Sequence, residues 1–193
     1  MPTLWCTPLA DPQKTAPNKR PWLLARDITY LGVAAAIIFV LQIVIAPVPN
    51  LEPVSLLFVL YTLHFRKKTL FVIYAFALLE GIWYGFHIWW IMYLYVWTIL
   101  WLVVTLFTRT GKRHGPLFWA VVSGLFGLSF GFLCSFPYVA LGGIKMAYSW
   151  WLAGLPWDIP HGIGNFFLML VLFYPLDRIM TALHLDRIGS ADC

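Results

Sequence analysis

The sequence predicts an all-α integral membrane protein, a bundle of six transmembrane helices. Three observations carry that expectation. Of the 193 residues, 61% are apolar and 11% are charged, where an ordinary soluble domain is about half apolar and about a quarter charged. The apolar residues fall into long runs broken by proline, glycine or basic clusters. The basic clusters occupy alternate gaps between those runs, so the net charge of +5 reads as a topology signal rather than a nucleic-acid footprint. One span takes about 20 residues at 1.5 Å rise per residue, so six take roughly 120. Short loops and tails remain, and a nucleotide-binding domain or other sizeable soluble module is excluded.

The first expected span is Ile28 to Ala46, opened by Arg26-Asp27 and closed by Pro47-Val48-Pro49-Asn50, where proline lacks the amide donor that a helix needs. The second, Pro53 to His64, is short for a bilayer and must tilt, extend into its flanks or be sheltered by neighbours. After Arg66-Lys67-Lys68 comes the third, Thr69 to Tyr84, and after Gly85-Phe86-His87 the fourth, Ile88 to Thr108. The fifth is Pro116 to Phe136, ended by Pro137, and the sixth is Ile159 to Leu176. Between the last two, Tyr138 to Asp158 reads as a loop rich in Trp and Gly.

Of the 13 Lys and Arg residues, a cytoplasmic amino terminus places all but Lys145 on the cytoplasmic side. The inside set is Lys14, Lys19, Arg20, Arg26, Arg66, Lys67, Lys68, Arg109, Lys112, Arg113, Arg178 and Arg187. This positive-inside bias predicts cytoplasmic tails at 1–25 and 180–193 flanking a membrane domain at 26–179. A cleaved signal peptide is not expected, because Pro2, Pro8, Pro12, Pro17 and Pro21 interrupt the start of the chain where a compact apolar core would lie. Cys6, Cys134 and Cys193 share no spacing that suggests a disulfide framework or zinc site.

Ionisable groups inside spans are costly and mark function or buried pairing. Glu80, Tyr84 and His87 follow at helical spacing near the outer end of the third span, on one face; an interhelical ion pair is the plainer reading of Glu80. Asp158, His161 and Asn165 repeat the spacing at the start of the sixth, where Asp158 also suits an N-cap. Trp90, Tyr93 and Trp97, with Trp101 beyond, line one side of the fourth span. Such a face stacks planar rings, although interfacial aromatics need bind nothing. Asn50 and Glu52, in the first outer loop, would close over the same pocket. Ser123, Gly127, Gly131 and Ser135 form a small-residue stripe suited to close helix packing, and Gly32 and Ala36 a shorter one. No Walker glycine loop, His-Glu-x-x-His or Gly-x-Ser-x-Gly occurs, so any ATP-driven work needs a partner, and no cofactor or metal ligand set is expected.

Taken together, these residues resemble the substrate-binding S components of energy-coupling factor (ECF) vitamin transporters, over about Arg26 to Arg178. The resemblance rests on the six expected helices, Pro49-Asn50-Leu51-Glu52-Pro53-Val54, Leu79-Glu80-Gly81-Ile82-Trp83-Tyr84-Gly85, Tyr93-Leu94-Tyr95-Val96-Trp97 and Asp158-Ile159-Pro160-His161-Gly162-Ile163-Gly164-Asn165-Phe166. It implies a subunit of a prokaryotic cell membrane that binds a vitamin or precursor from outside, while a transmembrane coupling subunit and two cytoplasmic ATPases drive uptake. Cobalamin or another corrinoid is the first expectation, then riboflavin and pyridoxine-type vitamins. The ligand is implied to lie in the outer half, touching Asn50, Glu52, Glu80, Tyr84, His87, Trp90, Tyr93, Trp97, Asp158, His161 and Asn165. The coupling subunit is implied to meet Gly32 and Ala36, although Val40 is the next residue in register. An intramembrane enzyme using Glu80, His87, Asp158 and His161 is one alternative, and a structural assembly subunit another.

Overall fold

The computed structural model describes residues 25–47, 52–109, 111 and 114–185. Among them every regular element is helical: α1 (Ala25–Ile45), α2 (Pro53–Phe65), a 3₁₀ turn (Arg66–Lys68), α3 (Thr69–Tyr84), α4 (Ile88–Thr108), α5 (Pro116–Cys134) and α6 (Phe136–Ala182). Four of these, α1, α4, α5 and α6, are long and apolar enough to cross a membrane. The helices carry large apolar side chains on their outer surfaces, such as Val33, Ile82, Leu125 and Val171, which suits a lipid surround.

α2 is the centre of the fold. Every one of its residues except Leu63 is buried, and α1, α3, α4, α5 and α6 all pack against it. Its short length is thus explained by shelter: a helix wrapped by neighbours needs no full-length apolar surface of its own.

Successive helices alternate in direction, and side-chain bonds fix which ends lie together. At one end Lys68 Nζ donates to Asp27 Oδ2 at 3.0 Å, joining the start of α1 to the turn after α2. His64 Nε2 lies 2.9 Å from Asp177 Oδ1, bringing the last turns of α2 and α6 together, and Trp101 Nε1 donates to the Arg66 carbonyl at 3.0 Å. Arg26, Arg66, Lys67, Lys68, Arg109 and Arg178 are all near this basic end. At the opposite end Glu52 meets His161.

Two expectations are corrected here. Tyr138 to Asp158 is not a loop: α6 begins at Phe136 and runs to Ala182, broken only where Gly142 and Gly143 leave helical geometry, Gly143 at φ 77°. Glycine and proline in this stretch suggested irregular chain, but Pro156 and Pro160 are four apart and both exposed. The carbonyls they leave unbonded, on Leu152 and Pro156, therefore lie toward the outside rather than in the core. Pro137 likewise does not end the fifth helix but stands in the first turn of the next, where its missing amide costs nothing.

α5 and α6 approach at backbone distance. A Cβ built on Gly127 would stand 2.8 Å from Gly162 Cα, and one on Gly162 would stand 2.9 Å from the Gly124 carbonyl oxygen. The expected small-residue stripe is thus the seam between these helices, and Gly162 answers it from α6.

Candidate functional site

The end of the fold opposite the basic cluster gathers polar side chains from four helices. Glu52 caps the start of α2 in extended backbone geometry. Its Oε2 lies 2.8 Å from His161 Nε2 on α6, and its Oε1 accepts from Gln42 Nε2 on α1 at 3.4 Å. One turn further along α6, Asn165 Nδ2 donates to Ser55 Oγ on α2 at 3.3 Å. Glu80 of α3 is 2% exposed, and its charge lies within repelling reach of Glu52. Two acceptors in this cluster, Glu80 Oε1 and Asn165 Oδ1, are buried with no hydrogen-bond partner among the described residues. Buried polar atoms are usually satisfied, so these two acceptors are open to a donor that the described residues do not supply.

The structure brings Glu52, Glu80, His161 and Asn165 to one end of the fold, while Tyr84, His87 and Asp158 take other partners or face outward. Tyr84 and His87 are exposed. α3 ends at Tyr84 and Gly85 takes φ 91°, so the helical phase that would have put His87 below Glu80 is lost. Tyr84 instead packs edge-on against Trp89, with ring centroids 6.2 Å apart. Asp158 is buried, but it is no N-cap, because α6 continues through it. Its Oδ1 accepts from the Gly131 amide at 3.0 Å, which ties α6 to α5. Glu80, His87, Asp158 and His161 therefore do not converge as a water-activating set, and no group of three or more His, Cys, Asp or Glu side chains among the described residues is placed to hold a metal ion. Asn50 lies outside the described residues.

The aromatic face of α4 is present, but the protein's own rings occupy it. Trp90 Nε1 donates to the Ala77 carbonyl at 2.7 Å, and its indole fills the space beside Gly81. Trp97 is fully buried, with Phe58, Tyr93 and Phe130 at centroid distances of 5.2, 5.6 and 5.7 Å. Tyr93 stacks on Phe76 at 6.1 Å and is the one of the three that also lies within electrostatic reach of Glu52 and Glu80. Trp90 and Trp97 are thus engaged by the fold itself instead of presenting an open stacking surface.

Gln42 and Ser55 belong to the site and were not anticipated. The signal for Gln42 was available: it is an amide inside an otherwise apolar run. Gly32 and Ala36 are exposed on α1, and a Cβ on Gly32 would meet nothing within 4 Å, so this small patch is not used for internal packing.

No family model, curated protein or solved structure matches the chain.

Proposed function

We propose that this chain is a membrane-embedded, six-span binding subunit that takes a vitamin or vitamin precursor from the outside for ATP-driven uptake of the ECF type. The observation that carries the reading is the polar cluster of Glu52, Glu80, His161 and Asn165, buried at the end away from the basic residues, with two acceptor atoms lacking partners. Polar groups at such a depth are costly unless they serve a ligand, an ion or one another. Positive-inside placement makes the basic end cytoplasmic and the cluster end external. The exposed Gly32–Ala36 patch supports a helical partner on α1, the role assigned to a transmembrane coupling subunit, with two ATPases supplying the energy.

The order of ligands to test is cobalamin or another corrinoid, then riboflavin, then pyridoxine-type vitamins. The decisive experiment is mass spectrometry of small molecules retained by the gently purified protein, followed by equilibrium binding of whatever is found. A stoichiometric vitamin-class ligand supports the reading. Saturating trials of all three classes with neither retention nor binding would remove it.

A further inference from the structure

A concavity unrelated to the polar cluster opens at the basic end. It has a volume of about 370 Å³ and is lined by Thr62, Leu63, Arg66, Lys67, Thr105, Thr108 and Arg109. That size is within the range of small-ligand sites. Its walls are the last turn of α2 with the turn that follows it, and the last turn of α4; the indole of Trp101 ties the two together by donating to the Arg66 carbonyl. Arg66 itself stands at φ 53°, a sparsely populated conformation for a residue other than glycine, and such strain gathers at ligand clamps.

The chemistry of the lining is that of an anion site. Three cationic side chains reach it, and Lys67 and Arg109 are exposed. Neither forms a salt bridge with an acidic group among the described residues. A neutral donor is available as well: Thr105 Oγ1 is buried without a partner among the described residues. By contrast, the Thr62 and Thr108 hydroxyls are spent on carbonyls of their own helices. A phosphate, with several acceptor oxygens and negative charge, matches this donor set.

The surroundings favour a phosphate that carries a hydrocarbon tail. Leu102 lies three residues before Thr105, and Leu106 three before Arg109, hence on the same flank of α4. Both are exposed, at 47% and 50%. They continue the cleft as an apolar track toward the middle of the helix, and basic pockets between helices at a cytoplasmic surface are suited to anionic head groups. We propose that the cleft formed by Arg66, Lys67, Thr105 and Arg109 binds the phosphate head group of an anionic phospholipid, with an acyl chain laid along Leu102 and Leu106.

The test uses the full chain in nanodiscs of phosphatidylcholine containing phosphatidylglycerol, with retained lipids counted by native mass spectrometry. Phosphatidylglycerol should be enriched over phosphatidylcholine. Lys67→Gln and Arg109→Gln should each reduce that enrichment about fivefold, the worth of one charge near such a surface, and Thr105→Val should reduce it too. Arg26→Gln and Arg178→Gln, at the same end but outside the cleft, should leave it unchanged. Equal losses from the control pair would mean diffuse attraction and overturn the site. So would equal retention of the two lipids. Displacement of the lipid by millimolar inorganic phosphate would reassign the cleft to soluble phosphate and overturn the lipid assignment.

Discussion

His161 Nε2 stands 2.8 Å from Glu52 Oε2, a contact that ties the first turn of α2 to the middle of α6. With Asn165–Ser55 one turn deeper, it makes α2 and α6 the two faces of the candidate site. The proposed ligand would compete for these same atoms.

On the proposed reading, His161→Ala and Asn165→Ala should each weaken binding of the retained ligand by roughly tenfold to a hundredfold, the usual loss when one partner of a buried polar contact is removed. Isothermal titration checks this. If the variants bind normally yet unfold early in detergent, the cluster serves packing and the proposed site is lost.

Trp97→Ala should act differently. Trp97 is enclosed by Phe58, Phe76, Tyr93, Phe126 and Phe130, so removing it opens a cavity at a cost of about 3–5 kcal/mol. A scan of detergent-solubilised protein should show a large drop in melting temperature without ligand present. An unchanged melting point would mean that the indole is not part of the core.

Glycine replacements separate the two small-residue patches. Gly127→Leu should abolish correct folding, because its side chain would enter the Gly162 backbone, and size-exclusion chromatography should show aggregate. Gly32→Trp should leave a monodisperse, ligand-binding subunit and abolish uptake in cells, because nothing within the fold opposes that position. Loss of binding in isolated Gly32→Trp protein would argue against a partner surface there.

The buried Lys68–Asp27 pair has a signature of its own. Lys68→Met or Asp27→Asn alone should destabilise by about 3–5 kcal/mol, because each removes the close opposite charge from a desolvated group, whereas the double variant should recover part of the loss. Chemical denaturation of the four proteins gives the coupling. Additive losses would show that the two side chains act independently.

Orientation is tested by cysteine placed at Lys67 or Lys145. An impermeant maleimide added to intact cells should label the second and miss the first. The reverse would invert the chain and put the polar cluster on the inside.

Much of this architecture was legible because apolar runs and their punctuation are local. The bounds of α3 and α4 match the expected ones, and α2 differs only by Phe65. Tyr138 to Asp158 was not legible, because whether a proline breaks a helix depends on where its unbonded carbonyl points, and Pro156 and Pro160 point theirs away from the core. The same holds for the site. Helical spacing placed His161 beside Asn165 correctly and His87 below Glu80 wrongly, since Gly85 changes the direction of the chain between them. Gln42 and Ser55 join only through contacts between helices, and one helix does not reveal the neighbour it will meet.

The complete enclosure of α2 also bears on how the protein is made. At 13 residues it extends about 20 Å, short of a hydrocarbon layer of about 30 Å, and it carries Ser55, Thr62 and His64 inward toward other helices. Alone it is too short and too polar to be held in lipid, so its cover has to come from the helices packed around it. Of the helices that pack on it, α6 comes last in the chain. Until α6 arrives, Ser55 and His64 lack Asn165 and Asp177. A chain lacking α6 would therefore leave one side of α2 uncovered and these two polar side chains without their interhelical partners.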